Sequence, residues 1–122
     1  MNIYWVNETS YPEFWDIPGG LAELKELPKE ALIREIKEEI GLKALPIKII
    51  HEDSNLDENK DMIFIRLVYL CNLEDDINNI KLDLNEHSEY KLIDSLMSLE
   101  NENVLPYLLD ILKELLWDSH IK

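Results

Sequence analysis

The sequence predicts a layered α/β domain, because helix-like and strand-like segments alternate along its 122 residues. Two segments, 28–40 and 103–117, have the apolar spacing of amphipathic helices. Short apolar runs bounded by turn-forming residues lie before the first of these helices and between the two helices, which is typical of strands. No internal repeat, low-complexity stretch or flexible linker divides the chain, so we expect a single domain over residues 1–122.

The first third of the chain predicts a strand, a glycine turn and a helix. "NIYWV" (Asn2 to Val6) is a strand candidate, and Pro18-Gly19-Gly20 in "FWDIPGG" breaks any regular element. Pro28 suits the first turn of a helix and Gly41 suits the residue just after its end. Apolar residues take one side of this helix and charged residues the other: Leu32, Ile33, Ile36 and Ile40 against Arg34, Glu35, Glu38 and Glu39.

The rest of the chain predicts mainly strands and a closing helix. "MIFIRLVYLCNL" (62–73) is apolar on both alternating faces apart from Arg66 and Asn72, which favours a central strand. The polar segment 51–61 predicts a mobile loop. The other expected elements are a strand at 45–50, a turn at 74–79, a weak strand at 80–84, a strand at 88–93 and the amphipathic helix at 103–117.

The charge of the chain limits its partners. With 12 basic and 26 acidic residues the formal net charge is −14, which would repel phosphate backbones and anionic lipid. We therefore expect no nucleic-acid or membrane partner, and an anionic substrate would need a divalent metal.

The single cysteine, Cys71, allows no internal disulfide. Since no leader or long apolar span is found, a cytoplasmic location is expected.

Three glutamates crowd one turn of the first helix. Residues three and four apart share a helix face, so Glu35, Glu38 and Glu39 can converge. At ~5 Å and an effective dielectric near 20, each like-charge pair costs roughly 3 kcal/mol. Side chains that spread into water lower that cost below ~1 kcal/mol and leave a merely solvated acidic face. If they converge, a cation lies among them, and carboxylate oxygens favour magnesium or manganese over zinc.

The segment from Gly20 to Leu42, "GLAELKELPKEALIREIKEEIGL", resembles the complete signature of the Nudix hydrolases. Each fixed position is matched: Gly20, Glu26, Arg34, Glu35, Glu38, Glu39 and Gly41, with aliphatic Ile36 and Leu42. "WDIPGG" in front of it also resembles the family's approach to this segment. The resemblance covers roughly residues 3 to 116. It implies an α/β/α sandwich with a mixed sheet, and Mg²⁺-dependent hydrolysis of a nucleoside diphosphate linked to another group.

The resemblance also implies roles for individual residues. Glu35, Glu38 and Glu39 would be metal ligands together with the carbonyl of Gly19, and Mn²⁺ could replace Mg²⁺. Arg34 would pair with a helix glutamate and fix its rotamer, and Glu26 would be a supporting acidic group. For the general base, "NEHSEYKLI" resembles a later segment of the family, so Glu89 is the first candidate and Glu86 the second. Glu38 and Glu39 stay open as alternatives. Gly20, Glu26 and Trp15 are candidates for substrate contact, although an aromatic near a sheet is more often core.

Two departures from the family pattern matter. The chain starts too late to supply the strand that normally precedes "NIYWV", so we expect a second copy in a homodimer, or another segment, to close the gap. The marks of the dinucleoside polyphosphate, coenzyme A, ADP-ribose and NADH branches are missing, which leaves a (deoxy)nucleoside triphosphate as the default substrate. The alternatives are a nucleotide-binding or regulatory module without turnover, and a plain acidic interaction domain.

Overall fold

The computed structural model describes residues 3–8, 15–82, 87–93, 96–99 and 102–121. Within them the elements are β1 (Ile3–Glu8), β2 (Trp15–Asp16), α1 (Pro28–Ile40), β3 (Ala44–Asp57), β4 (Met62–Leu73), β5 (His87–Ile93) and α2 (Pro106–Ile121). Two short 3₁₀ turns, Ile77–Asn79 and Leu96–Leu99, follow β4 and β5. The mixed α/β architecture predicted from the sequence is confirmed.

Helix α1 begins and ends where its sequence predicts. Pro28 occupies the first position, where a missing N–H costs nothing. Gly41 ends the helix with φ 73°, a left-handed conformation that glycine adopts without strain, and its amide donates to the carbonyl of Lys37 at 3.0 Å. Ile36 and Ile40 are buried against Leu42 and Ala44, so the apolar side of α1 packs on the start of β3.

The described strands form two antiparallel groups. One sheet has the order β2-β1-β5, and β3 pairs with β4 as a two-stranded ribbon. The parallel component of the expected mixed sheet is represented, in the described ranges, by an isolated bridge between Trp15 and Val104. Strand β1 has a partner on each side, β2 and β5, so it is not an edge strand of this sheet.

The predicted loop at 51–61 is wrong over most of its length. Strand β3 continues to Asp57, pairing Asp53 with Arg66 and Leu56 with Ile63, and only residues 58–61 form the turn. The long apolar β4 offers backbone partners that outweigh the polar composition of this segment, because strand propensity depends strongly on context.

Strand β4 has the predicted bounds but not the predicted central place. In the part of the chain that the structure describes it pairs with β3 alone, and Ile65 is 73% exposed. Ile80–Leu82 form no strand, while residues 83 and 84 of that expected strand lie outside the described residues. The strand at 88–93 is confirmed as β5. The closing helix is also confirmed, although it begins at Pro106 rather than at 103.

Two apolar clusters make the core. The first joins β2, β5 and α2 through Trp15, Ile93, Leu108, Leu112 and Leu116, and the second joins α1 to β3. A cavity of about 1000 Å³ lies between α1, α2 and the β3–β4 ribbon, and Pro18, Gly19 and Gly20 contribute to its wall. No helix among the described residues is long and apolar enough to cross a lipid bilayer.

Candidate active site

The three glutamates of α1 do not share one environment. Because successive helical residues are about 100° apart, Glu35 and Glu39 project about 40° from each other, whereas Glu38 lies about 60° to the other side of Glu35. Glu39 is 3% exposed and its Oε2 accepts a 2.9 Å hydrogen bond from the amide of Gly19. The side chain of Glu38 is 57% exposed. A buried carboxylate is costly without partners, so the glycine turn and Glu39 form one structural unit.

Glu35 lies directly against the same turn. A Cβ added to Gly20 would come within 2.5 Å of the Glu35 carboxyl carbon and within 2.6 and 2.7 Å of its two oxygens. At Gly19, by contrast, an added Cβ would meet nothing within 4 Å. Gly20 is therefore the residue whose lack of a side chain lets a helix carboxylate approach the turn.

Arg34 links the acidic groups around α1. Its Nε and Nη2 donate to the two carboxylate oxygens of Glu26 at 2.8 and 2.9 Å, a bidentate pair. Its Nη1 donates to Glu35 at 2.8 Å and to Glu38 at 3.3 Å. The guanidinium also reaches the carbonyl of Leu21 at 3.3 Å. The expected pairing of Arg34 with helix glutamates is present, and it offsets the repulsion between them.

The pair with Arg34 changes the acidity of Glu26. Hydrogen bonds from the Arg34 guanidinium, and then one from the backbone amide of Glu23, lower the pKa of Glu26 from 4.5 to about 2. The same carboxylates raise the pKa of Arg34 above its usual value. Glu26 therefore stays ionised throughout the neutral range and holds Arg34 beside the helix glutamates.

The donor chemistry of this site fits a hard divalent cation. Glu35 and Glu39 flank the glycine turn from neighbouring directions, and carboxylate oxygens are the donors that Mg²⁺ and Mn²⁺ prefer. In the described part of the chain no three acidic, His or Cys side chains are already grouped closely enough to hold an ion. The ion pair between Arg34 and Glu35 accounts for part of this, because one candidate oxygen is turned to the guanidinium.

Sequence reasoning missed a second polar group on the cavity wall. Asp16 and Tyr107 are hydrogen-bonded, and the guanidinium carbon of Arg66 lies 3.6 Å from the centre of the Tyr107 ring. Asp53 accepts hydrogen bonds from Arg66, at 3.2 Å, and from His51. The interruption of an apolar strand by Arg66 was the available signal, whereas nothing in the sequence relates it to Asp16 or Tyr107.

Burial raises the pKa of Asp16 above its usual value, and hydrogen bonds from the Tyr107 hydroxyl and the Ile17 amide oppose that rise. The charge of Arg66 opposes it as well. The pKa of Asp53 is lowered, first by its hydrogen bond with His51 and also by Arg66. His51 is therefore part of this polar group.

The remaining predicted site residues are Trp15, Glu86 and Glu89. Trp15 is 8% exposed and packs in the core, and its Nε1 donates to Glu102 at 3.0 Å, which favours the structural alternative for this aromatic. The backbone of Glu89 lies in β5, but its side chain is outside the described residues, and Glu86 lies wholly outside them. The choice between these two glutamates as general base stays a prediction.

Comparison with known proteins agrees with this arrangement of a glycine turn and an acidic helix. The family model described as NUDIX domain matches residues 2–114. The solved structure of a MutT protein from Methanosarcina mazei Go1 superposes with a TM-score of 0.73 at 25% identity, over 98% of this chain and 84% of that one.

Two curated relatives match over shorter stretches. The 8-oxo-dGTP diphosphatase of Proteus vulgaris is 55% identical over 29 residues, 24% of this chain and 26% of that protein. The diphosphoinositol polyphosphate phosphohydrolase 3-beta of Bos taurus is 32% identical over 68 residues, 56% of this chain and 40% of that protein. Each match spans less than half of the curated relative's length.

The fold and the acidic helix thus define an α/β domain of the kind that hydrolyses pyrophosphate bonds with a divalent metal. The chain belongs to the Nudix family. The recognition made on Gly20 to Leu42 is confirmed, whereas the individual site residues stay predictions.

Proposed function

We propose that this chain is a Mg²⁺-dependent pyrophosphohydrolase of nucleoside triphosphates, working at the junction of the glycine turn and α1. The observation that carries the proposal is the buried carboxylate of Glu39 held by the Gly19 amide, with Glu35 pressed against Gly20. Keeping one acidic group buried and another in close contact with a backbone turn is costly for a purely structural helix.

Glu35, Glu38 and Glu39 are the side chains that would hold the metal, together with the carbonyl of Gly19; Mn²⁺ fits the same oxygen donors. When bound, the ion neutralises the phosphate oxygens and makes a water more nucleophilic. Arg34 keeps Glu35 and Glu38 oriented through its ion pairs, and Glu26 holds Arg34 from the other side. Glu38 is exposed enough to exchange protons with water, while Glu89 and then Glu86 are the further candidates for general base.

The charge of the chain and its similarity to a curated relative together support the choice of substrate. An anionic chain cannot attract a polyphosphate by its net charge, so an ion on the acidic helix is the means by which it would bind one. The relative from Proteus vulgaris, 55% identical over 29 residues, is an 8-oxo-dGTP diphosphatase. A nucleoside triphosphate is therefore the substrate we propose, and a homodimer stays a prediction.

A nucleotide panel tests the proposal. Purified protein is incubated with the common ribo- and deoxynucleoside triphosphates, 8-oxo-dGTP, ADP-ribose and a diphosphoinositol polyphosphate, with Mg²⁺, with Mn²⁺ and with chelator. We expect release of pyrophosphate or phosphate from a nucleoside triphosphate, and no release with chelator. Binding of nucleotide without turnover would favour the regulatory alternative, and turnover that survives chelation would contradict the metal site.

A further inference from the structure

The cavity between the helices follows the edge of β4 rather than one face of the β3–β4 ribbon. All ten consecutive residues from 64 to 73 line it. Side chains alternate between the two faces of a strand, so a cavity on one face would meet only every second residue. Of the fourteen residues of β3, four line the cavity: Ala44, Ile50, Asp53 and Asn55. The cavity therefore runs along the edge of β4 that lies away from β3.

This edge of β4 presents backbone groups that can pair with another strand. Among the residues that the structure describes, β4 pairs with β3 alone. In an antiparallel pair alternate residues turn their N–H and C=O groups away from the partner strand, so about five residues between 64 and 73 direct both groups toward the cavity. A row of such groups is a template for strand addition.

The two helices cover opposite faces of β4. Cys71 packs with the apolar cluster of α1, whereas Arg66 lies on the ring of Tyr107 in α2. Residues an odd number of positions apart on a strand point to opposite faces, so α1 lies on one face and α2 on the other. Apolar side chains of both helices line the cavity, among them Ile36, Ile40, Ile111 and Leu112. A segment beside β4 would therefore be covered on both faces, as a central strand is.

The far wall of the cavity is formed by the stretch that begins in β2. Residues 16–22 line this wall without a gap. Strand β2 is at the end of the sheet β2-β1-β5, so it is an edge strand of that sheet in the described ranges. The cavity thus lies between the two antiparallel groups, and one strand entering it would bridge them.

We propose that the cavity is a slot for an added β-strand, supplied by an apolar segment of a partner protein. The lining residues of α1, from Pro28 to Ile40, span about 18 Å, the length of about five or six strand residues. The segment carries apolar side chains on both faces, since each face meets a helix. Basic residues at its ends are attracted to a chain of net charge −14, whereas a second copy has the same negative charge and lacks this attraction.

Cys71, the single cysteine of the chain, reports whether the slot is filled. Its side chain is half-buried and lines the cavity, so an aromatic iodoacetamide labels the protein there alone. Because burial raises the pKa of this thiol, the reaction is followed at alkaline pH. The probe is a peptide of about six alternating valine and isoleucine residues with lysines at both ends. Its control is the same peptide N-methylated at alternate residues, which keeps the side chains and loses main-chain donors.

We expect the unmodified peptide to bind one-to-one, and the N-methylated peptide to bind at least about tenfold more weakly, because several main-chain hydrogen bonds are lost. At about ten times its Kd the unmodified peptide should slow the alkylation of Cys71 about tenfold, since only the empty slot reacts. Protein alkylated beforehand should no longer bind the peptide. The matched control Cys71→Ser should bind it equally before and after the same treatment.

The proposal is overturned if the unmodified peptide does not bind, if both peptides bind equally, or if the bound peptide leaves the alkylation rate unchanged. A peptide-free protein that is a dimer with Cys71 already protected would also overturn it, in favour of a second copy as the occupant. Thermal unfolding of the alkylated protein distinguishes a blocked slot from an unfolded chain. If the alkylated protein is unfolded, the protection of Cys71 in the wild type decides alone.

Discussion

The amide of Gly19 donates a 2.9 Å hydrogen bond to Oε2 of Glu39, so a turn before α1 and a carboxylate near its end hold each other. Glu39 is the one charged residue buried among the described residues. Its burial means that replacing the carboxylate has two separable effects. The loss of charge relieves a desolvation cost in the folded state, and the loss of an anionic oxygen weakens any cation bound at the turn.

Glu39→Gln should therefore leave the fold intact or raise its melting temperature while lowering metal affinity and turnover. We expect the rate of nucleotide hydrolysis to fall roughly 100-fold or more, because metal ligands and their supports typically carry effects of that size. Glu38→Gln should lower the rate comparably without changing stability, since its side chain is largely in water. Hydrolysis rates, calorimetric Mn²⁺ titration and thermal unfolding measure the three quantities.

The matched control is Glu114→Gln, an exposed glutamate of α2 that no proposed role involves. Wild-type turnover and Mn²⁺ affinity in either Glu38→Gln or Glu39→Gln would contradict the assignment of that residue as a metal ligand. A variant of Glu39 that loses activity only because it unfolds is recognised by its melting curve.

Gly20→Ala should weaken metal binding by displacing Glu35. The added Cβ would lie 2.5 to 2.7 Å from the Glu35 carboxyl group, which must swing away from the turn and from Arg34. Because the displaced atoms are the end of a flexible side chain, the expected loss of stability is small. Mn²⁺ titration should show a clearly larger loss of affinity for Gly20→Ala than for Gly19→Ala, whose Cβ meets nothing within 4 Å. Equal losses in the two variants would contradict the specific role given to Glu35.

Sequence reasoning was accurate where local chemistry decides the outcome. Pro28 and Gly41 set the two ends of α1, because a fixed φ suits a first turn and a positive φ suits glycine after the last. The pairing of Arg34 with Glu35 and Glu38 follows in the same way from neighbours on one helix.

The prediction from sequence was wrong where contacts between distant segments decide the structure. The polar stretch after Ile50 became the continuation of β3 because β4 supplies its backbone partners. The contact of Asp16 with Tyr107 joins residues 91 positions apart, which no spacing rule foresees. The polar wall of the cavity could therefore be found only after the chain was folded.

The ion pair of Glu26 with Arg34 should make stability depend on acid pH. The pKa of Glu26 is about 2 in the folded protein, against 4.5 for a glutamate without partners. Folding therefore favours the ionised carboxylate. Its contribution is fully present above about pH 4.5 and is lost as the pH falls toward 2. Urea unfolding of the wild type and of Glu26→Gln should show a difference in unfolding free energy at pH 6 that narrows below pH 4.5. A difference that persists unchanged at pH 2 to 3 would contradict this linkage.

Asp16→Asn should have the opposite stability profile. Burial raises the pKa of Asp16 in the folded protein above 3.8, so the folded state binds its proton more readily than the unfolded state. Ionised Asp16 therefore costs stability at neutral pH, and that cost disappears as the pH falls through the raised pKa to below 3.8. The amide keeps the acceptor for Ile17 and Tyr107 without the charge, so we expect Asp16→Asn to unfold at a higher urea midpoint than the wild type at pH 7. The two midpoints should approach each other below pH 4, and Asp110→Asn should show no such convergence. A variant that is less stable than the wild type at pH 7 would mean that the charge on Asp16 holds the cavity wall together, through Arg66, more than its burial weakens it.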